Sequence, residues 1–155
     1  MDLLKGIRRS FTLIACAIVA TLFVVSGANA ADSVGKIKVL TGQAVVVRGQ
    51  DKIPVALGMD LVQGDRIETK EKSSVGILFA DDTRVSLAAN SAITIDKFVY
   101  DKETQDGNFI TNLLKGTLAF LTGKMGKANP ENVKIKTPLA TIGIRGTKFV
   151  VTTDI

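Results

Sequence analysis

From about residue 36 onward the apolar positions recur with period two, and Gly, Asp, Asn or Pro interrupts them roughly every eight to twelve residues. A strand that buries one face produces this alternation, because successive side chains point to opposite sides. Ile37 and Val39 mark one side of a first strand over residues 36–41, Gly42 breaks it, and 44–48 resumes. Gly49-Gln50-Asp51 turns into Ile53 and Val55, with Pro54 between them. Proline has no N–H to give a ladder, so this strand is expected at an edge. Gln63-Gly64-Asp65 turns again into 66–69. Val75, Ile77 and Phe79 then share a face, Ala80-Asp81-Asp82-Thr83 turns, and Val85 and Leu87 continue on a second strand, which predicts a hairpin. Ala88-Ala89-Asn90-Ser91 turns before Ile93, Ile95, Phe98 and Tyr100. The pattern predicts an all-β domain over 31–155, of about ten short strands, arranged as a sandwich or a β-solenoid-like roll.

The later segments are less regular. Residues 101–108 are wholly polar and read as a solvated loop tip. Asn112 to Lys115 has the spacing of a helical turn, whereas Gly116, Leu118, Phe120 and Thr122 return to strand spacing. Residues 123–132 read as a second flexible loop, and 133–137 as a strand that ends at Pro138. In the stretch T-P-L-A-T-I-G-I-R-G-T-K-F-V-V, Pro138 and Gly143 are expected to break one strand, and Gly146 to deliver Thr147 and Phe149 into the last. Arg145 lies in an apolar run, which is costly unless it is edge-exposed or paired with an acid. A pair that pins the final turn is the preferred reading, with a ligand contact as the alternative.

The N-terminus has a different pattern. Lys5, Arg8 and Arg9 precede an apolar stretch over 11–25, and Ala28-Asn29-Ala30 follows as an A-x-A site, so 1–30 reads as a secretory signal peptide cleaved after Ala30. An uncleaved anchor, lipidation at Cys16 and a twin-arginine signal at Arg8-Arg9 are the alternatives. Export places the mature domain in a periplasm or outside the cell.

Composition then removes function classes. The whole chain has 20 Lys and Arg against 15 Asp and Glu; losing Lys5, Arg8, Arg9 and Asp2 with the signal leaves 17 and 14, a net charge of +3. Those basic residues are scattered among acids and few aromatics accompany them, so nucleic acid is not an expected partner. The chain has no histidine, and its one cysteine, Cys16, leaves with the signal. Histidine- or thiolate-based nucleophilic catalysis and ordinary zinc ligation are therefore not expected. No disulfide is available, and about 125 residues must be held by a core.

Three weaker motifs have ordinary structural explanations. Gly123-Lys124-Met125-Gly126-Lys127 lacks the spacing and the Ser/Thr of a phosphate loop, because Ala128 follows. Asp81-Asp82 with Asn90, and Asp101, Glu103 and Asp106, are acids where turns favour them and do not match a calcium loop. Paired carboxylates for glycoside hydrolysis read as solvated surface acids. No cofactor, metal or catalytic residue is expected.

The ordered stretches Gly64-Asp65-Arg66-Ile67-Glu68-Thr69, Val75-Gly76-Ile77-Leu78-Phe79-Ala80-Asp81-Asp82-Thr83, Asn90-Ser91-Ala92-Ile93, Gly116-Thr117-Leu118, and Thr137-Pro138 with Arg145-Gly146-Thr147-Lys148-Phe149 closely resemble the FecR domain family over about 39–151. The resemblance implies an envelope regulator. Well-known members have a cytoplasmic region that binds a sigma factor, one membrane helix, and a periplasmic domain that receives a signal. This sequence resembles the periplasmic part alone. Ten residues before the apolar segment are too few for a sigma-binding region, so direct sigma-factor binding is not expected. Where the family usually has Asp-Gly at the hairpin tip, this sequence has Asp81-Asp82, so Asp82 must adopt the conformation glycine normally supplies. The expected role is a non-enzymatic module that binds an envelope protein or a cell-wall or polysaccharide component. The alternative is a periplasmic small-ligand sensor in an anti-sigma-type or cyclase-linked system. The motif residues Gly64, Asp65, Asp81, Asp82, Pro138, Gly143, Arg145, Gly146, Thr147 and Phe149 are expected to be structural or contact positions, and the loops 101–108 and 123–132 the variable contacts.

Overall fold

Strand alternation closes into a single curled sheet. The computed structural model describes residues 32–144 and 146–153; the expected signal segment with Ala28 and Ala30, and Arg145, lie outside the described residues. The strands are β1 (Ser33–Thr41), β2 (Ala44–Arg48), β3 (Asp51–Pro54), β4 (Asp60–Val62), β5 (Arg66–Thr69), β6 (Ser74–Phe79), β7 (Arg84–Leu87), β8 (Ala92–Tyr100), β9 (Gly107–Leu121), β10 (Val133–Lys136), β11 (Thr141–Gly143) and β12 (Lys148–Thr153). A short helix α1 (Lys124–Ala128) and a 3-10 turn (Pro130–Asn132) join β9 to β10.

The sheet folds into two facing layers. One runs β3-β2-β5-β8-β9 and continues through β10 to β11; the other runs β4-β1-β6-β7-β9 and adds β12. All pairs are antiparallel except β9 with β10. β9 belongs to both layers: residues before Gly116 pair with β8 and β10, and those after it with β7. The change of layer occurs at Gly116, whose φ of +84° favours glycine. A Cβ at that position would also collide with Ser91, whose Oγ accepts the Thr117 N–H at 2.9 Å.

The core lies between the layers. Phe79 from one layer meets Phe98 and Phe109 from the other at 5.3 and 4.6 Å between ring centroids, and Phe109 meets Phe120 at 5.8 Å. Each buried ring contributes about 2 kcal/mol through removal of apolar surface from water. Phe149 stacks on Phe120 at 5.1 Å and carries the row into β12.

The hairpin β6–β7, a single strand through Ile93, Ile95, Phe98 and Tyr100 and the edge position of Pro54 agree with the sequence pattern. Three features differ from it. In β1 the ladder to β6 slips between Ile37 and Val39, so Ile37 is buried while Val39 is 55% exposed and Leu40 turns inward. Residues 112–115 form no helical turn but part of the fifteen-residue strand β9, because their backbone continues the ladder to β8, with Asn112 also paired to β10. The stretch 123–132 is an ordered plug rather than a flexible loop: Met125 is fully buried, and Gly126 packs under Thr122 and Val133.

Candidate functional site

Asp65 closes the turn between β4 and β5 and is completely buried. Arg48, at the end of β2, reaches it with both arms of its guanidinium, Nε to Oδ1 at 2.8 Å and Nη2 to Oδ2 at 2.7 Å. The Val62 N–H donates to Oδ2 at 2.9 Å, and Arg48 Nη2 also donates to the Asp60 carbonyl at 3.1 Å. The hydrogen bond to Asp65 raises the Arg48 pKa, so the guanidinium stays charged. Gly64 donates its N–H to the Ile95 carbonyl at 2.8 Å. This corner ties β2, β4, β5 and β8 together and leaves the carboxylate occupied. The sequence reading missed Arg48; the only signal was a cation ending a strand just before a Gly-containing turn.

The second motif aspartate is satisfied without a cation. Asp81 is buried at the β6–β7 turn, where its Oδ1 accepts the Thr83 N–H at 3.0 Å and its Oδ2 the Thr83 hydroxyl at 2.7 Å. Gly123 lies directly on this tip: its N–H donates to Thr83 Oγ1 at 3.0 Å, and the Lys124 N–H donates to the Asp81 carbonyl at 2.7 Å. A Cβ on Gly123 would run into the Asp81 carbonyl oxygen and the Thr83 backbone. Thus the G-K-M-G-K stretch is a seat for a hairpin, not a phosphate loop. Asp82 takes φ of +67°, the left-handed conformation expected of it. Its carboxylate meets Lys124 Nζ at 2.8 Å, and that hydrogen bond lowers the Asp82 pKa and raises that of Lys124.

The closing motif is distributed over both layers. Pro138 sits in the β10–β11 turn, where the Thr137 N–H donates to the Ala140 carbonyl at 2.7 Å. Gly143 does not interrupt a strand but ends β11, opposite Lys134. The Gly146 carbonyl accepts the Thr122 hydroxyl at 3.0 Å, the Thr147 carbonyl accepts the Thr122 N–H at 2.9 Å, and Phe149 packs inward. The two polar connections also meet: Asp106 Oδ1 accepts the side-chain amides of Asn129 at 3.1 Å and Asn132 at 3.0 Å. Asp101 Oδ1 accepts the Glu103 and Thr104 N–H groups, which is turn chemistry. Among the described residues no three acidic, His or Cys side chains gather where they could hold a metal.

The exposed chemistry is concentrated on the outer face of the β1-β6-β7-β9-β12 layer. Ladder register sets two rows across it: Lys36, Leu78, Arg84, Leu121 and Lys148, and beside them Val39, Gly76, Ser86, Ala119 and Val150. Three open hollows of about 350, 310 and 420 Å³ adjoin there: the first and third share Lys38 and Leu78, the first and second Arg84, and the second and third Asp82. Two carboxylates border them, and each is already held by a lysine: Asp60 by Lys36 at 2.6 Å and Asp82 by Lys124. Among the described residues no carboxylate lies within ion-pair distance of Lys38, Arg84, Lys127 or Lys148.

These features define a class of all-β domain in which the buried motif acids brace turns and the free chemistry lies on a sheet face. A family model described as FecR protein matches residues 65–154, more than half of the chain, and the chain belongs to the FecR family. It is thereby an envelope signalling-related domain of a regulatory rather than enzymatic family, one that is generally periplasmic. β1 to β4 precede the matched residues, yet β1 pairs with β6 and β2 with β5, and β4 and β3 extend the sheet from β1 and β2, so all four are integral to the fold. No curated protein and no solved structure matches the chain. No described helix is long and apolar enough to cross a membrane.

Proposed function

We propose that this chain is an exported, non-enzymatic periplasmic module that binds another envelope component, a protein or a cell-wall polysaccharide, and contributes to signalling through that contact. The observation that carries the reading is the use of the motif acids. Asp65 and Asp81 are completely buried and held by hydrogen bonds from Arg48, Val62 and Thr83, so neither carboxylate is presented to a substrate. The remaining accessible chemistry is spread over a sheet face and open hollows, a geometry suited to a polymer more than to an enclosed small ligand. Strand edges add to it: among the described residues β12 pairs only with β9 and β3 only with β2, and such edges accept an added strand.

Photo-crosslinking amino acids at Lys102, Glu131 and Ser86 test the proposal in cells that carry the full chain. Defined adducts at one or more sites are expected, and clean lanes at all three would end this reading. Intact mass of the envelope protein is expected to correspond to a chain beginning at Ala31.

A further inference from the structure

We infer that the outer face of the β1-β6-β7-β9-β12 layer is the docking surface, and that its partner is an acidic polypeptide segment carrying aliphatic side chains. The inference rests on the interaction-module reading above and assigns it a place and a chemistry. Charge complementarity decides the sign of the partner. Lys38, Arg84 and Lys127 line the hollows and Lys148 stands beside Leu121 at their margin, while Asp60 and Asp82 are already held by lysines. A cationic surface with no free carboxylate among the described residues attracts anions and repels basic partners.

The shape and the apolar content decide the class. Gly76, Ser86 and Ala119 form a low strip across the middle strands, with Val39 and Val150 at its ends at 55% and 61% exposure and Leu78 and Leu121 alongside. Val39 is outside only because of the β1 bulge, and its side chain overlies Gly76, where a Cβ would press against it. Five strands spaced by about 4.8 Å give the strip a length near 19 Å, the span of a peptide segment rather than one side chain. Aliphatic side chains beside a low strip suit a segment that buries its own aliphatics there. Sugar rings instead favour aromatic platforms, whereas Phe79, Phe98, Phe109 and Phe120 are buried and Phe149, on β12, packs inward against Phe120. Polysaccharide is therefore disfavoured on this face.

The test places photo-crosslinkers at Ser86 and Val150 of the full chain in its own cells and identifies each adduct by mass spectrometry. A second chain carrying Lys38→Glu and Arg84→Glu is run in parallel, and its thermal unfolding is checked against the unaltered protein. Adducts to an acidic, aliphatic-rich stretch of another protein are expected, with yield falling roughly tenfold on charge reversal. Adducts to glycan or lipid, to a basic stretch, or of unchanged yield in the reversed protein would overturn the inference. If Ser86 and Val150 trap nothing while Lys102 or Glu131 does, the docking face is wrong and the interaction module stands. If no position traps anything, both are wrong.

Discussion

Asp65 and Asp81 occupy comparable situations, each a motif aspartate at a turn with no exposed surface, but the protein satisfies them in opposite ways. Asp65 is balanced by a full charge from Arg48, seventeen residues away in sequence. Asp81 is held by neutral donors from Thr83, two residues on, and covered by the backbone of Gly123. One corner depends on a distant cation, the other on local geometry and an absent side chain. The difference shows that two similar Asp-containing turns need not fail by the same route.

The largest expected effect comes from removing the cation. Arg48→Ala leaves a buried carboxylate with one backbone donor and should cost about 3–4 kcal/mol in urea unfolding. Asp65→Asn should cost less, about 1–2 kcal/mol, because the half-exposed Arg48 can turn to water. Equal losses for the two would break the contrast between the corners. At the hairpin tip, Gly123→Ala adds a methyl group where only backbone fits and should cost about 2–3 kcal/mol. A near-neutral result there would show that the seat yields. Thr83→Val removes the hydroxyl that joins Asp81 to Gly123, with an expected loss of about 1–2 kcal/mol.

The smallest effect sharpens the comparison by pH. The Asp82 pKa is lowered in the folded protein, chiefly by its hydrogen bond to Lys124. Its contribution is therefore complete above the ordinary carboxylate value of 3.8 and is lost as pH falls from there through the lowered folded value. The difference in melting temperature between the unaltered protein and Asp82→Asn should be small at neutral pH and vanish at the acid end. A gap that widens toward low pH would contradict the assignment.

The sequence displayed the strands wherever burial was strictly alternate, as at Val75, Ile77 and Phe79 in β6 or Val85 and Leu87 in β7. It also displayed the strained turn at Asp82, since the position needs a left-handed residue. It concealed Val39, because a bulge changes which face a residue occupies without changing composition. It concealed the Arg48 brace, because an ion pair between separate turns leaves no local spacing to detect. The order within 123–132 was hidden for a related reason: Gly107 leaves room for the buried Met125 methyl group, and Gly126 lets the helix approach Thr122 and Val133. The face carrying Lys38, Arg84 and Lys148 was likewise unreadable until register placed those side chains together.

The crossing of β9 between layers at Gly116 has a dynamic consequence. A sandwich whose layers are separate strands can lose one layer and keep the other, whereas here one continuous fifteen-residue strand supplies a ladder to each layer. Amide protons on either side of Gly116 should therefore exchange with solvent at similar, slow rates that track global opening, and the two layers should behave as one cooperative unit. A partner gripping the outer face near Ala119 would then hold a strand continuous with the opposite layer.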